Sequence, residues 1–202
     1  MKSYGGKFWD ERYSSTEFVY GTEPNKFFKE ELLKLTPGKL LMIGEGEGRN
    51  AVFAAKQGWE VDAVDFSTIA REKAMKLAEK NKVSIRYDVC ELTKYNFRPN
   101  HYDAVANIFL HLDITSRQII YPESIVSLKK KGVLLLEVFH KEQLGRNTGG
   151  PQNSEMLYSE EELDKYFKSM QIQLLEKKII NLEEGDHHKG EAAVIRLIAV
   201  KK

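Results

Sequence analysis

The chain has 202 residues, of which 42% are apolar and 30% charged, and its formal net charge at pH 7 is +1. This length is enough for one domain with a sizeable core, and the composition is that of an ordinary globular domain. Because proteins that bind polyanions are usually clearly basic, the near-zero charge gives no indication of a nucleic-acid partner.

The cysteine content and the lack of long apolar runs indicate the cellular compartment of the protein. Cys90 is the only cysteine, which excludes an intrachain disulfide and fits a reducing cytosol. The first residues, MKSYGGKFWDERY, contain no apolar stretch like that of a signal peptide. No apolar run approaches the roughly 18 residues that cross a bilayer. We therefore expect a cytoplasmic protein with no membrane span.

The predicted elements alternate between helices and strands. The first helix lies in TEPNKFFKEELLKLTPG, where Pro24 suits the first helical position and Pro37-Gly38 ends the element. The predicted strands lie at residues 39–43, 60–65, 83–87, 102–109 and 132–139. The helices predicted between them lie at residues 48–58, 67–81 (capped by Ser67) and 115–130 (broken near Pro122).

Three of these strands are continuous apolar runs, as buried parallel strands are, so the order predicts a doubly wound α/β sheet. The end of the chain differs. After a long polar loop and a helix capped by Ser159, residues 170–181 and 192–200 alternate at period two around a polar turn. This pattern predicts a C-terminal antiparallel hairpin.

The turn GEGEG after the first strand predicts a ligand site. In a doubly wound sheet, ligands bind beyond the carboxyl ends of the strands, and the first βα turn comes closest to them. Gly44, Gly46 and Gly48 lie in this turn, where side chains would hold a nucleotide-sized ligand away and some positions need positive φ. The helix that follows presents its N-terminus to a negatively charged group.

Asp65 indicates the kind of ligand. It ends the second strand, 19 positions after Gly46, where an acid can accept hydrogen bonds from both ribose hydroxyls. An NAD site follows G-x-G-x-x-G, and here Arg49 stands in place of the third glycine, which disfavours an NAD-dependent oxidoreductase. Arg49 could instead pair with a carboxylate. The pattern thus favours a shorter, carboxylate-ended adenosine ligand.

The segments IGEGEGRNA and VDAVD, with the final hairpin, resemble the class I S-adenosylmethionine (SAM)-dependent methyltransferases over roughly residues 39–200. GEGRN and the N-terminal FWDERYSSTEFVYGTEPNKFF are similar to the tellurite-resistance and thiol-type small-molecule group. The resemblance implies a mostly parallel seven-stranded sheet with a reversed last strand, SAM as cofactor and S-adenosylhomocysteine (SAH) as product. Within one domain, residues 1–36 would form a lid segment and helix, 39–139 the SAM-binding half, and 140–202 the acceptor loop, helix and hairpin.

The resemblance also implies roles for individual residues. Gly44, Gly46 and Gly48 would pack against the methionine part of SAM, Asp65 would hold the ribose, and Phe66 would flank the adenine. The remaining implied cofactor contacts are Asp88 and Val89 after the third strand, Asn107 and Ile108 under the sulfonium centre, and Tyr13 and Tyr20 closing over the ligand.

The chain departs from the family at the first glycine of the turn. Many relatives carry an acid two residues before it, where this chain has Met42, and a small residue directly after it, where this chain has Glu45. Glu45 or Glu47 could supply the missing charge for the amino group of SAM.

The sequence defines the binding side of the methyl acceptor less clearly than that of the cofactor. His111 follows the fourth strand and His188 lies in the hairpin turn, and either could act as a base for an acceptor that needs one. The histidines show no spacing of a metal site, so none is predicted. Since the sequence shows no basic face, it favours a small-molecule acceptor over a macromolecule. Since it shows no base–nucleophile constellation, it favours a thiol or a soft anion. A non-catalytic SAM- or SAH-binding module stays an alternative, and the chain could be a monomer or a homodimer.

Overall fold

The computed structural model describes residues 6–185 and 187–202. The first five residues of the predicted lid segment, and Asp186 of the hairpin turn, lie outside the described residues. The helices are α1 Gly6–Tyr13, α2 Lys26–Leu32, α3 Arg49–Lys56, α4 Thr68–Lys80, α5 Ile114–Ser127 and α6 Glu160–Phe167. The strands are β1 Lys39–Ile43, β2 Glu60–Asp65, β3 Arg86–Val89, β4 Tyr102–Ile108, β5 Leu128–Phe139, β6 Gln171–Glu183 and β7 Lys189–Val200.

These strands form one seven-stranded sheet in the order β3-β2-β1-β4-β5-β7-β6. The pairs from β3 to β5 are parallel, whereas β7 runs antiparallel to both β5 and β6. The prediction of a doubly wound, mostly parallel sheet with a C-terminal antiparallel hairpin is therefore confirmed. Because β7 is reversed, the β6–β7 turn lies at the carboxyl ends of the parallel strands, where ligands bind in this architecture.

Helices cover both faces of the sheet. One apolar core lies between the sheet and α5 and α6, and the other between the sheet and α2, α3 and α4. Since the central strands are buried on both faces, they are continuously apolar. No helix in the described part of the chain is both long and apolar enough to cross a membrane.

The side chains that begin the helices are mostly those expected. Ser67 accepts a hydrogen bond from the Ala70 amide at 3.0 Å and caps α4, and Ser159 caps α6. The first predicted helix begins later than expected, because Asn25 accepts from the amide of Phe28 at 2.9 Å and so starts α2 at Lys26.

The third strand is displaced from its predicted position at 83–87. The structure has it at Arg86–Val89, because β2 sets the register by pairing Asp62 with Arg86 and Asp65 with Val89. Ile85, within the predicted strand, is instead buried in the core from the connection that precedes β3. Asp88 and Val89, expected after the strand, therefore belong to it.

The break predicted at Pro122 does not occur, and the helix is shorter than predicted. α5 is continuous from Ile114 to Ser127 with Pro122 inside it. The flanking Tyr121 and Ser124 are fully buried, and this packing stabilises the helix across the proline. Residues 128–130, predicted helical, start β5, since Leu128 pairs with β4.

Candidate active site

The glycine turn between β1 and α3 needs its glycines for the fold itself. Gly44, Gly46 and Gly48 have φ values of 66°, 64° and 90°, in the left-handed region that side chains rarely adopt. A Cβ on Gly48 would lie 2.6 Å from the Cβ of Ala74 in α4. Gly48 therefore lets α3 and α4 approach, in addition to any contact with a ligand.

Asp65 holds the turn in place from the end of β2. One carboxylate oxygen accepts from the amide of Gly46 at 2.9 Å and the other from the amide of Ser67 at 3.0 Å. Burial raises the pKa of Asp65, although these backbone hydrogen bonds act to lower it. Each oxygen has a further lone pair, so this carboxylate fits a pair of ribose hydroxyls. Phe66, expected beside the adenine, directly follows Asp65 and is partly covered by α1.

Aromatic side chains from the N-terminus lie over the turn. Tyr13 is buried, and its hydroxyl would be 2.8 Å from a Cβ on Gly46. Its ring stacks on Trp9 at 5.6 Å between centroids and meets Tyr20 edge-on at 6.4 Å. The two tyrosines expected to close over the ligand thus cover the turn from one side.

An ion pair fastens these residues to the body of the domain. The carboxylate of Glu47 pairs with the ammonium of Lys73 at 2.5 Å and accepts from the amide of Val19 at 2.8 Å. The Lys73 ammonium also donates to backbone carbonyls at 3.3, 2.9 and 2.7 Å, which belong to Tyr13, Ser15 and Glu17. We call residues 13–20 the covering segment. Glu47 therefore binds the covering segment and is not free for a cofactor.

We predict that Glu47→Gln loosens the covering segment. The substitution removes the charge that pairs with Lys73, and a charge-assisted hydrogen bond contributes about 1.5–3 kcal/mol. Amide exchange at Val19 and Tyr20 should accelerate about tenfold or more, as measured by hydrogen–deuterium exchange. Glu17→Gln removes an exposed charge from the same segment and should leave exchange unchanged. Equal exchange in the two variants would contradict the role of Glu47.

At the carboxyl end of β4, Asn107 presents an unused donor. Its side-chain oxygen accepts from the amide of Leu110 at 3.3 Å, whereas its Nδ2 is buried and has no partner among the described residues. Ile108, next to it, is buried as well. Since buried amide donors normally find acceptors, Asn107 fits a polar ligand at this strand end.

The residues expected near the adenine lie at the edge of the sheet. Asp88 and Val89 are exposed and line an open cleft of about 480 Å³, together with Cys90, Tyr95 and other polar side chains. The amide of Cys90 donates to the carbonyl of Asp65 at 3.0 Å, which keeps this edge close to the predicted ribose acid. Their contact with adenine stays a prediction.

Arg49 has a partner that the sequence analysis missed. Its guanidinium lies 2.8 Å from the carboxylate of Glu184, in the β6–β7 turn. Burial acts to raise the pKa of Glu184, but the His188 hydrogen bond and the Arg49 charge outweigh it and bring the pKa to about 2. Glu184 is therefore ionised and uses the charge of Arg49, so a carboxylate of the cofactor would have to share that cation.

Glu184 also orients His188. The Nδ1 of His188 lies 3.3 Å from the Glu184 carboxylate, and donation to this anion leaves Nε2 as the unprotonated nitrogen. The buried imidazole is packed against aromatic rings at centroid distances of 4.5, 4.8 and 5.4 Å, those of Tyr20, Phe109 and Phe139. Burial lowers the pKa of His188, more than the Glu184 contact raises it, so the ring is neutral near pH 7.

His111 is a second neutral imidazole on the same side. Its ring stacks on Phe139 at 5.2 Å, and its Nδ1 lies 3.2 Å from the carbonyl of Met156. Donation to that carbonyl leaves Nε2 unprotonated, and this atom is buried without a partner in the described part of the chain. Burial lowers the pKa of His111 to about 3. Both predicted histidines therefore meet at Phe139 with a nitrogen able to accept a proton or a hydrogen bond.

The loop after β5 lies against this region. A Cβ on Gly149 would lie 2.7 Å from the ring of His188, and one on Gly150 would lie 2.5 Å from the ring of Phe139. The glycines thus let the backbone approach the acceptor side closely. Arg146, in the same loop, pairs with Glu191 at the surface.

A protein family matches part of the chain. Residues 40–132 match the family described as a methyltransferase domain. A search of curated proteins by sequence finds no match. The match covers β1 to the start of β5, and so includes the glycine turn, Asp65 and the β4 end.

Solved structures are similar over nearly the whole chain. TehB from Haemophilus influenzae is 17% identical, with a TM-score of 0.75 over 98% of this chain and 67% of TehB. Phosphoethanolamine N-methyltransferase 2 from Haemonchus contortus, in complex with phosphomonomethylethanolamine and SAH, is 19% identical, with a TM-score of 0.66 over 96% of this chain and 56% of that one. A protein described for the conversion of a disulfide bond into a thioacetal group during echinomycin biosynthesis is 14% identical, with a TM-score of 0.78 over 98% of this chain and 92% of that one.

Proposed function

We propose that this chain, a class I SAM-dependent methyltransferase by its fold and its methyltransferase domain, methylates a small molecule that loses a proton at the reacting atom, with a thiol as the first candidate. The observation that carries this proposal is the Glu184–His188 pair beside the open nitrogen of His111. From the near-neutral charge and the single cysteine, we likewise propose a cytoplasmic enzyme without a nucleic-acid partner, acting as a monomer or homodimer.

The residues present fit the cofactor. Asp65 offers free lone pairs for the ribose, the glycines put no side chain between the turn and the methionine part, and the Nδ2 of Asn107 is an unused donor at the β4 end. When bound, SAM supplies a methyl group on a positively charged sulfur. The protein then has to hold the acceptor atom roughly 3–3.5 Å from that methyl group, in line with the leaving sulfur.

His188 fits the role of proton acceptor. Its Nε2 carries a lone pair because Nδ1 faces the ionised Glu184, and the carboxylate stabilises the imidazolium that forms when Nε2 takes a proton. The aromatic rings of Tyr20, Phe109 and Phe139 around it exclude water, which keeps the acceptor atom unsolvated. The sequence predicts His188 as a possible base but not its partner Glu184, and without this pair the sequence favoured in part an acceptor that needs no base.

The charges at this site favour a neutral acceptor over an anion. The cation beside His188, Arg49, is already paired with Glu184, and both histidines are neutral near pH 7 because burial lowers the pKa of each. A soft anion would have to enter next to the Glu184 carboxylate. One similar structure is described for the conversion of a disulfide bond into a thioacetal group. That conversion takes place at sulfur, which also supports a thiol.

We predict that His188→Gln slows thiol methylation most at low pH. A thiol of pKa about 8.5 is roughly 3% ionised at pH 7, so a base can accelerate its reaction by about 30-fold at most. The variant should lose up to about 30-fold in turnover at pH 7 and approach the unmodified protein above pH 9. SAH release from SAM with a panel of small thiols, measured between pH 6 and 9.5, tests this expectation.

His187→Gln is the matched control, because His187 is the exposed neighbour in the same turn, and its profile should be unchanged. A loss that persists above pH 9, where the thiol is ionised, would contradict the role of His188 as proton acceptor. A chain that binds SAH but transfers no methyl group to any thiol would favour the non-catalytic binding module.

A further inference from the structure

The end of β1 lacks an acid, and the turn that follows has an acid with an unused oxygen. Met42 is buried in the sheet between β2 and β4, so it offers no charge to a ligand. Glu45, three residues later, is only 7% exposed. A carboxylate buried to this degree needs partners for both oxygens.

One oxygen of Glu45 has its partners. Oε1 accepts from the amides of Asn50 at 3.0 Å and Ala51 at 2.8 Å, in the first turn of α3. Oε2 is buried and has no hydrogen-bond partner within residues 6–185 and 187–202. The carboxyl group therefore accepts from amides at the N-terminus of α3 through Oε1, and its other oxygen either carries a proton or takes a donor from outside the protein.

Glu47, the other acid of the turn, is committed elsewhere. Its carboxylate pairs with Lys73 and accepts from the amide of Val19. Glu45 Oε2 and Glu47 Oε1 both lack a hydrogen bond within the described residues. Glu47 Oε1, however, lies 2.5 Å from the Lys73 ammonium, so of these two oxygens only Glu45 Oε2 has neither a hydrogen bond nor an ion pair there.

We propose that Glu45 takes the ammonium group at the amino-acid end of the cofactor in place of the missing strand-end acid, and that it releases a proton when the cofactor binds. An ammonium is the donor that complements a single buried carboxylate oxygen. The proposal rests on the proposed function, because it assumes that the glycine turn holds SAM or SAH.

The groups around Glu45 explain why the cofactor would displace a proton from it. The groups that face it are the Arg49 charge from α3, the Asp65 carboxylate from β2 and the Tyr87 hydroxyl from β3. Burial raises the pKa of Glu45 to about 8, more than the Ala51 amide and the Arg49 charge lower it. The free protein therefore holds a proton on Glu45 at pH 7, and a cation beside Oε2 lowers the pKa and expels that proton.

The sign of the pH dependence follows from this linkage. Below pH 8, binding must remove a proton, so affinity rises with pH by up to about tenfold per pH unit. Above pH 8, Glu45 is already ionised, so its titration no longer raises the affinity.

Calorimetric titration with two ligands tests the proposal. SAH carries the ammonium group, whereas 5′-methylthioadenosine has the same nucleoside and sulfur without the amino-acid end. The unmodified protein should release close to one proton per SAH at pH 7, measured in two buffers of different ionisation enthalpy, and none with methylthioadenosine. Glu45→Gln keeps an oxygen for the α3 amides, so it should bind methylthioadenosine normally. Because it has no carboxylate, it should release no proton and should bind SAH at least about tenfold more weakly at pH 8.

Asp65→Asn is the reference variant, in which both ligands should weaken alike. If Glu45→Gln and the unmodified protein bind SAH equally and with the same proton release, the role of Glu45 is wrong, while the cofactor site stands. If neither ligand binds the unmodified protein, the proposed function fails together with the inference. Normal methylthioadenosine binding by Glu45→Gln establishes that the variant is folded.

Discussion

Replacing Asp65 with alanine is expected to weaken SAH binding about 100-fold or more. In the proposed site this carboxylate accepts from two ribose hydroxyls, and hydrogen bonds to a charged group contribute about 1.5–3 kcal/mol each. The same carboxylate accepts from the amides of Gly46 and Ser67, so alanine also frees the glycine turn from the end of β2. Isothermal titration calorimetry with SAH measures the loss.

Asp103→Ala is the matched control for this variant. Asp103 also accepts from a backbone amide, that of Lys39 at 2.8 Å, and lies against Gly38, but at the opposite end of the sheet. Its loss should lower stability and leave SAH affinity unchanged. A parallel titration with NADH separates the cofactor classes, because binding of NADH in place of SAH would revive the oxidoreductase alternative. Equal SAH affinity in the two alanine variants would contradict the ribose role of Asp65.

The fold was predictable where one local pattern decides the structure. Alternating helices and apolar strands, followed by period-two strands, gave the doubly wound sheet and its reversed hairpin. The predicted boundaries of helices and strands were wrong where tertiary contacts override the local pattern. The register of β2 moved β3 to Arg86–Val89, and packing around Tyr121 carried α5 through Pro122.

The sequence predicted only part of the candidate site, for the same reason. The glycines, Asp65 and the two histidines lie at the carboxyl ends of the strands, as expected. Lys73 and Glu184 were missed, because their partners are far away in the chain: Arg49 and Glu184 are separated by 135 positions. The one local signal for Glu184 was its place four residues before His188 in a turn, where the two side chains can meet.

Gly48→Ala is expected to destabilise the domain by about 2–5 kcal/mol. Its φ of 90° costs an L-residue about 1–2 kcal/mol. The added Cβ would also lie 2.6 Å from the Cβ and 2.8 Å from the Cα of Ala74, and overpacking of this kind costs about 1–3 kcal/mol. The free energy of unfolding, from urea titration followed by circular dichroism, measures the sum.

Two further variants separate the backbone and packing contributions. Gly58 has nearly the same φ, 89°, but the nearest atom to its added Cβ is 3.9 Å away, so Gly58→Ala should cost about 1–2 kcal/mol from backbone strain alone. Gly48→Ala combined with Ala74→Gly removes the colliding Cβ and should recover part of the packing cost. If Gly48→Ala and Gly58→Ala are equally destabilising, close contact of α3 with α4 is not what requires glycine at position 48. The ligand and the backbone conformation would then account for the third glycine of the turn, as the sequence pattern first suggested.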